Sequence, residues 1–289
     1  MPSNEQRRAT AKRKLERQLA NRAQRARRRK QLTVAGSILG VIVVAAAGVG
    51  IYYLTRGEGK DTRSDTVAGS SAPVAPAPSA RAKPAMVTCS YADSAKPADK
   101  QVSKPTRTEV PTTGDKAQTV SLSVDTSQGS LGLTLNNAES PCTVNSFVSL
   151  VSQGYFDNSP CHRMTAIDGL KVLQCGDPTG SGTGGPGYQF ADEYPADQYA
   201  PGDPAAQEKI SYKRGTIAMA NAGPGTNGSQ FFLVYQDSQL PPLYTIFGKV
   251  DDSSMATLDK IAKIGEDNSN GPGDGKPKQP VTIQSVRVD

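Results

Sequence analysis

Two separate blocks of the 289-residue chain hold side chains that can bind and polarise a peptide. In the first block, Arg163 directly follows His162, and Gln174 comes eleven residues after Arg163. In the second, residues 220–235 read ANAGPGTNGSQFFLVY, where turn-forming Asn and Gly lead into a β-prone run. A guanidinium is always charged and geometrically rigid, and amide side chains can fix a peptide backbone by hydrogen bonding. The alternative for the second block is a glycine-rich loop that only enters a core strand.

Metal and nucleotide chemistry are poorly supported by the sequence. His162 is the only histidine and the four cysteines form no short Cys-x-x-Cys pair, so a zinc site fits poorly. Residues 180–185, GSGTGG, match the spacing of nucleotide-binding loops, but Pro186 and Gly187 follow where that fold needs a helix. We therefore expect neither a metal nor a cofactor.

The elements around these blocks follow a β-rich pattern with two helices. Alternating apolar residues predict strands over 119–124 and 129–135, joined by a hairpin turn. Ser140, followed by a proline, predicts the start of a helix that ends at Gly154, and a second helix is predicted over about 255–264. Several short strands with two helices favour an antiparallel barrel whose ends the helices close.

Three motifs in a fixed order carry a family resemblance. They are CHRM at 161–164 with VLQCGD at 172–177, ANAGPGTNGSQFFL at 220–233, and FGKV at 247–250. Over residues 118–289 the chain resembles the cyclophilins, prolyl isomerases that bind cyclosporin. The resemblance implies a mainly β fold, an eight-stranded antiparallel barrel capped by two helices. It also implies peptidyl-prolyl cis-trans isomerase activity on proline-containing polypeptides, without a cofactor.

The reaction itself explains what the site residues must do. Amide resonance opposes rotation about an X–Pro bond with a barrier of about 18–20 kcal/mol. The twisted imide has a nitrogen with a free lone pair, to which a fixed guanidinium can donate a hydrogen bond. The resemblance therefore implies Arg163 as the catalytic guanidinium. It assigns Gln174 to the substrate backbone and Phe232 to the floor of the proline pocket.

The resemblance also implies which residues surround the substrate. His162 shapes the rim of the site or packs on the face of its strand opposite to Arg163. Asn221 contacts the substrate through its main chain. The other residues that line the pocket and the groove beside it are Val172, Ala220, Ala222, Leu240 and Tyr244, the last at a position where many members have His.

The chain departs from the family pattern at three places. The interval from Met164 to Gln174 is three residues longer than the common spacing. Counting back from Gln174, the family's Phe-Met pair becomes Lys171-Val172, and a lysine cannot line an apolar pocket. Gln239 stands where cyclosporin-sensitive members have Trp, so cyclosporin binding is expected to be weak.

These departures leave alternatives open. Leu170 and Ile167 are the residues available to replace the missing Phe. Ordinary core packing is the alternative role for Phe232 and Leu240, and a strand-bridging surface cation is the alternative for Arg163. The alternative function is a non-catalytic module at the cell envelope that binds proline-containing peptides.

Charge is distributed unevenly along the chain. Residues 1–31 hold 12 Lys and Arg residues against 2 Asp and Glu, whereas residues 118–289 hold 11 against 18. Because phosphate binding needs clustered cations, nucleic acid is not expected as a partner of the folded domain. A third functional alternative treats the basic arm as a tether to anionic lipid or to the ribosome.

A run of 23 uncharged residues, 32–54, follows the basic arm. About 20 apolar residues in a helix cross the hydrocarbon core of a bilayer, so the run predicts a single transmembrane helix. The alternative is a cleaved signal peptide, whose apolar region is usually about 7–15 residues. The cations at 27–30 predict a cytoplasmic N-terminus and a catalytic domain outside the cell membrane. The chain is thus similar to membrane-anchored cyclophilins of high-GC Gram-positive bacteria, expected to assist the folding of exported proteins.

Residues 55–117 are rich in Pro, Ala and Ser and predict a disordered linker between membrane and domain. The four cysteines allow two disulfides in three possible pairings. The resemblance places Cys161 and Cys175 on adjacent antiparallel strands, which leaves Cys89 to join Cys142. Four free thiols are the alternative.

Overall fold

The computed structural model describes residues 74–114 and 118–289. The predicted basic arm, 1–31, and the predicted transmembrane helix, 32–54, lie outside the described residues. Within the described ranges, no helix is both long enough and apolar enough to span a bilayer.

The described chain is built from short strands and two α-helices. In chain order the strands are β1 (Ala75–Pro76), β2 (Met86–Thr88), β3 (Ala92–Asp93), β4 (Glu109–Pro111), β5 (Thr119–Thr126), β6 (Gly129–Asn136), β7 (Ser159–Pro160), β8 (Arg163–Ile167), β9 (Leu170–Cys175), β10 (Tyr188–Gln189), β11 (Ile210–Tyr212), β12 (Thr216–Met219), β13 (Phe231–Val234), β14 (Ser238–Leu240), β15 (Ile246–Val250), β16 (Asp274–Gly275) and β17 (Thr282–Val288). The helices are α1 (Pro141–Ser152) and α2 (Met255–Ala262).

Ten strands form one antiparallel sheet, in the order β16-β8-β9-β13-β12-β15-β6-β5-β17-β7. The predicted count of eight strands was therefore wrong. Eight of the ten have four or more residues, and the other two are the edge strands β7 and β16, of two residues each. These short edge strands arise where loop residues pair with β17 and β8. Because the paired segments are distant in the sequence, no local sequence pattern predicts them.

The longest hairpin shows why the sequence folds in this way. Strands β5 and β6 pair without a break from Thr119 opposite Asn136 to Thr126 opposite Gly129. Gly129 adopts a φ of +131°, which a residue with a side chain rarely does. The inward positions are apolar and alternate with outward polar ones, so one face of the hairpin joins the core. The strands predicted at 119–124 and 129–135 correspond to this hairpin.

Helix α1 begins at Pro141, as the sequence indicated, but a different group caps it. The hydroxyl of Ser140 donates to a carbonyl of β15 instead of capping the helix. The buried carboxylate of Glu193 takes that place and accepts the main-chain N–H of Thr143 at 2.8 Å. Gly154, with a φ of +62°, follows the end of the helix.

The hydrophobic core lies between the inner face of the sheet and the two helices. Phe147 of α1 stacks on Phe156 at 4.7 Å between ring centroids and meets Phe231 edge to face at 5.2 Å. Leu258 and Ile261 of α2 are fully buried against the same core. The core thus fixes one face of the sheet and leaves the other free to carry a site.

The predicted disordered linker was wrong for residues 74–114, which we call the N-terminal segment. Within it, β2 pairs with β4, while β1 and β3 pair with strands of the domain, β11 and β10. Cys89 is disulfide-bonded to Cys142, with 5.3 Å between the Cα atoms. Tyr91 and Val110 are buried in the core. The segment's Pro- and Ala-rich composition hides these few anchoring residues, whose burial depends on distant partners.

Candidate active site

Strand register places the three predicted catalytic residues, Arg163, Gln174 and Phe232, on one line across the sheet. We call this arrangement the catalytic line. Arg163 of β8 pairs with Gln174 of β9, Gln174 pairs with Phe232 of β13, and Phe232 pairs with Ala218 of β12. The neighbouring residue Met164 points into the core, so this line lies on the outer face of the sheet. Directly opposed residues of antiparallel strands lie about 4.5–5.5 Å apart. Register alone therefore brings a guanidinium, an amide and an aromatic ring together.

A carboxylate on the edge strand β16 fixes the orientation of Arg163. Asp274 accepts the Nε–H of Arg163 at 2.8 Å and an Nη2–H at 2.5 Å, a bidentate arrangement. The hydrogen bond to Asp274 raises the pKa of Arg163, and the same bond lowers the pKa of Asp274. Asn270 supports the carboxylate with an amide at 3.1 Å. The Nη1 of Arg163 remains directed along the outer face of the sheet.

A chain of amides continues from the guanidinium into the neighbouring loop. Arg163 Nη1 donates to Gln174 Oε1 at 3.4 Å, and Gln174 Nε2 donates to Gln230 Oε1 at 2.8 Å. Gln230 Nε2 in turn donates to the carbonyl of Gly184 at 3.0 Å. The first of these bonds is long, so a substrate carbonyl can compete for the Nη1 donor of Arg163. The second and third hold both amides in a defined orientation.

An apolar cluster on the outer face, which we call the outer cluster, lies next to this polar line. Its buried members are Val172, Ile210, Tyr212, Ala218, Phe232 and Val234. Leu240 and Tyr244 pack against it, and the ring of Tyr244 meets that of Phe232 at 5.9 Å. The structure thus brings together Phe232, Val172, Leu240 and Tyr244, which the resemblance grouped around a proline ring.

Leu170 takes the place that Lys171 cannot fill. Leu170 packs against the outer cluster, two residues before Val172 and therefore on the same face of β9. Lys171 turns away and donates from Nζ to the carbonyl of Ala166 at 2.5 Å. Ile167 is 41% exposed and contributes nothing to the pocket. The longer hairpin between β8 and β9 therefore preserves an apolar wall without the family's Phe.

A groove of about 500 Å3 begins where the outer cluster ends. Three stretches line it, 94–97, 182–189 and 220–230, together with Gln174. Ala220 belongs both to this lining and to the edge of the outer cluster. Phe232 does not line the groove, so the outer cluster and the groove are two adjacent parts of the site.

Asn221 presents its main chain to the groove. Its side chain is occupied, because Nδ2 donates to the carbonyl of Leu243 at 2.9 Å and Oδ1 accepts the N–H of Gly223 at 3.2 Å. Within the described part of the chain, nothing bonds the main-chain N–H or C=O of Asn221. The carboxylate of Asp192 holds the loop from below, accepting Gly225 N–H at 2.8 Å. A peptide can therefore pair with a backbone that is already held in place.

His162 packs behind the site and does not reach the groove. Both ring nitrogens are buried, and neither has a hydrogen-bond partner among the described residues. Burial lowers its pKa, so the ring is neutral at pH 7. A Cβ placed on Gly182 would lie 3.4 Å from His162 Cδ2, which puts the ring against the 182–189 stretch. The ring therefore packs against that loop and does not face a substrate in the groove.

The carboxylate of Asp177 occupies main-chain N–H groups in and next to the glycine-rich stretch at 180–185. Asp177 accepts the N–H groups of Thr179 at 2.8 Å, Gly182 at 2.7 Å and Gly184 at 3.0 Å. Burial alone would raise the pKa of Asp177, but its hydrogen bonds outweigh burial and lower the pKa to about 2. Because these amides are occupied and strand β10 follows instead of a helix, the stretch lacks the features of a phosphate-binding loop. In the described ranges, no group of three or more His, Cys, Asp or Glu residues is arranged for a metal ion.

The second disulfide borders the catalytic line. Cys161 is bonded to Cys175, with 4.0 Å between the Cα atoms. Cys161 lies two residues before Arg163, and Cys175 directly follows Gln174. Both disulfides thus join the cysteines as the resemblance implied. This one ties the strands that carry the guanidinium and the amide.

Sequence reasoning missed four contributors to the site. Asp274 lies 111 residues from Arg163, and no spacing rule connects them. Asp192 and residues 94–97 were likewise not predicted as part of the site. Gln230 was inside a quoted motif, and its position one residue before the Phe pair was the available signal.

Comparison with known proteins identifies the family of the chain. The family model described as cyclophilin type peptidyl-prolyl cis-trans isomerase matches residues 119–288. The chain is 52% identical over its full length to a protein of Mycobacterium leprae named probable peptidyl-prolyl cis-trans isomerase B, and the alignment covers all of that protein. It is also 52% identical to the protein of the same name from Mycobacterium tuberculosis, with 100% of this chain and 95% of the relative covered. A solved cyclophilin type isomerase from Cryptosporidium parvum is 32% identical, covers 59% of this chain and 98% of its own, and has a TM-score of 0.47.

Proposed function

The chain belongs to the cyclophilin-type peptidyl-prolyl cis-trans isomerases, and we propose that Arg163 supplies its catalysis by stabilising the twisted X–Pro imide. The observation that carries this proposal is the line Arg163–Gln174–Phe232, set by the register of three adjacent strands. The proline ring lies on the outer cluster over Phe232. The imide nitrogen then faces the guanidinium, whose Nη1 is not engaged by Asp274.

The reaction needs no proton transfer and no covalent intermediate. As the imide twists, resonance is lost and the nitrogen lone pair becomes a hydrogen-bond acceptor. The guanidinium donates to that lone pair more strongly in the twisted state than in either planar state, and this difference lowers the barrier. Asp274 keeps the donor fixed, so little reorganisation accompanies the twist.

The substrate must be held on one side of the rotating bond. The amide of Gln174 and the unpaired main chain of Asn221 provide hydrogen bonds for the peptide that flanks the proline. The outer cluster buries the ring itself and excludes water from the guanidinium, which strengthens its hydrogen bonds. Holding both the ring and the flanking chain confines rotation to the X–Pro bond.

The test of this function is a prolyl cis–trans exchange assay with a neutral Ala-Ala-Pro-Phe peptide and the full-length chain in mild detergent. We expect acceleration that collapses in Arg163→Ala while the circular dichroism spectrum stays native. A folded wild-type protein that binds the peptide without acceleration would instead support the alternative, a non-catalytic module. The packing of Leu170 against the outer cluster argues against that alternative, because it removes the objection that Lys171 raised.

We further propose that residues 32–54 anchor the enzyme in the cell membrane, with a cytoplasmic N-terminus and exported polypeptides as substrates. The uncharged run and the adjacent cations support this arrangement. The two disulfides agree with an oxidising compartment outside the cytoplasm. Alkaline phosphatase fused after residue 289 should be active and the same enzyme fused after residue 31 inactive. The reverse pattern would refute the orientation, and a shortened mature chain would indicate a cleaved signal peptide.

Weak cyclosporin binding is also proposed. Gln239 is exposed on β14, and its N–H donates to the carbonyl of Gly169 at 2.7 Å, at the tip of the longer hairpin. A flat indole is thus replaced by a polar side chain beside an added loop. Isothermal titration should show much weaker binding than for a member that has the Trp, and equal affinity would contradict the proposal.

A further inference from the structure

The N-terminal segment lies outside the part of the chain that the family model matches, yet it supplies one wall of the groove. The match covers 119–288, whereas Ser94, Ala95, Lys96 and Pro97 line the groove together with the loop that presents Asn221. A wall from outside the matched range can change which peptides fit the groove.

The wall is fastened to the groove at both of its ends. Before it, β3 pairs with β10, and Ser94 N–H donates to the carbonyl of Gly187 at 3.0 Å. After it, Asp99 exchanges two bonds with Gly185, donating its N–H at 3.1 Å and accepting on Oδ2 at 2.7 Å. Residues 94–97 are therefore a short bridge between two fixed points.

The same segment is also anchored to helix α1. The disulfide joins Cys89 to Cys142, the second residue of the helix, and Tyr91 donates its hydroxyl proton to the carbonyl of Cys142 at 2.8 Å. Lys100 Nζ donates to the carbonyl of Gly154, just beyond the end of the helix. These anchors make the wall part of the folded enzyme.

Lys96 is the only charged residue among those that line the groove in the described structure. Its Nζ donates to the neutral carbonyl of Thr183 at 3.2 Å, and it forms no ion pair with a described residue. The nearby acids are already engaged: Asp93 pairs with Lys104 at 2.7 Å, and Asp99 accepts from Gly185. An ammonium with three donors therefore stands at the rim, and within the described residues only one of the three is bonded.

We propose that this wall is a specificity element, and that Lys96 selects polypeptides with an acidic side chain within a few residues of the proline. The inference rests on the proposed function, since it assumes that the peptide flanking the proline enters the groove beside Gln174 and Asn221. An extended peptide advances about 3.3 Å per residue, so the two or three residues next to the proline extend about 7–10 Å along the groove. A carboxylate among them comes within reach of a flexible lysine at the rim.

The test measures prolyl exchange by the full-length chain in mild detergent. Each peptide set varies one position, before or after the proline, and its three peptides carry Glu, Gln or Lys there. At the position facing Lys96, kcat/KM for Glu should exceed that for Lys by about two- to fivefold, the size expected for an exposed ion pair. The ratio should shrink as salt rises, because an exposed pair is screened.

Two variants and one control assign the effect to Lys96. In Lys96→Gln the Glu-to-Lys ratio should fall to about one, and in Lys96→Glu it should invert. Arg107→Gln is the matched control, because Arg107 belongs to the same segment, is exposed and does not line the groove. Its ratio should equal that of the wild type. Thiol titration must show no free cysteine in any variant, so that a displaced segment is not mistaken for a charge effect.

The outcomes separate the two proposals. If the wild type fails to accelerate even the Gln peptides, the proposed function fails. If those peptides are accelerated but no position distinguishes Glu from Lys, the inference alone is overturned. It is also overturned if Lys96→Glu leaves the ratio unchanged.

Discussion

The two adjacent parts of the site are built by different means. The catalytic line comes from adjacent strands of one sheet, where register alone fixes Arg163, Gln174 and Phe232. The groove comes from loops and from a segment outside the family match, held by side-chain bonds and a disulfide. From this comparison we expect the chemistry to depend on the sheet and the selectivity to depend on the segment outside the family match.

The two parts also differ in how they can change. Moving Arg163 or Gln174 would require a slip in strand pairing, which would turn every side chain of that strand to the other face. The bridge at 94–97 can change in sequence without disturbing a strand of the main sheet. Five predictions follow this contrast, from the largest expected effect to the smallest.

Arg163→Ala should cause the largest loss. Removing a preorganised donor typically costs about 10²–10³ in kcat, and we expect kcat/KM for prolyl exchange to fall by that factor. Arg163→Lys should recover little, because an ammonium cannot form the bidentate contact with Asp274. Thermal melting should show that both variants are folded. A loss smaller than threefold would place catalysis elsewhere.

Removing the disulfide at Cys89 and Cys142 should loosen the wall more than the catalytic line. We expect the Cys89→Ser/Cys142→Ser protein to lose about 2–4 kcal/mol of unfolding free energy, as for a typical native disulfide. Its preference for Glu over Lys peptides should drop more than its turnover of the Gln peptide. Urea denaturation and exchange kinetics measure the two effects. Unchanged preference would show that the other anchors hold the wall.

Asp274→Asn should slow the reaction about tenfold, through orientation of the guanidinium and not through binding. Because Asp274 acts on Arg163, kcat should fall while KM changes little, the sign of an interaction used mainly in the transition state. The exposed Asp168, which lies 3.9 Å from Lys171, is the matched control, and Asp168→Asn should behave as the wild type. A purely structural role for Asp274 would instead lower thermal stability and leave kcat intact.

The pH dependence of kcat follows from the ion pair between Arg163 and Asp274. The pKa of Asp274 is depressed in the folded protein, so its ion pair is present above the ordinary carboxyl pKa of about 4 and is lost as pH falls through the lower folded value. We therefore expect kcat to be flat from pH 8 to pH 5, and a fall between pH 7 and pH 6 would contradict this assignment.

His162 should give the smallest effect, on stability alone. Its pKa is depressed by burial, so the unfolded chain binds a proton that the folded protein does not, and stability falls as pH drops below about 6.5. The slope cannot exceed about 1.4 kcal/mol per pH unit for one proton. His162 is the only histidine, so His162→Gln should remove the slope seen in urea denaturation between pH 7 and pH 5.5. A slope that persists would come from the carboxyl groups.

Motifs predicted the catalytic line because its residues sit in short, local patterns. Arg163 and Gln174 occupy two strands of one hairpin, and Phe232 lies in a run that reads as a strand. Asp274 could not be found in this way, since it meets Arg163 only through pairing of a two-residue edge strand. Leu170 packs on the outer face in place of Lys171 because of where the longer hairpin turns. The sequence does not fix the position of that turn, so the outward-facing residues of β9 are known only once the strand register is known.

The N-terminal segment was the largest difference between sequence and structure. Its composition is typical of a linker, and few of its residues, among them Tyr91 and Val110, are buried. Burial of these residues needs the surface of α1, and the chain reaches that surface through Cys89. Amino-acid composition is an average over the whole segment, so it does not detect the few individual residues that attach the segment to the domain.

The most direct test of the division between chemistry and selectivity is a double-mutant cycle of Arg163→Ala and Lys96→Glu. Exchange rates are measured for the Glu and Lys peptides with the wild type, both single variants and the double variant. The account predicts that Arg163→Ala lowers both rates by one common factor, and that Lys96→Glu inverts their ratio to the same extent with or without Arg163. If Arg163→Ala altered the ratio, or if the inversion disappeared in the double variant, the two parts would be coupled and the division would be wrong.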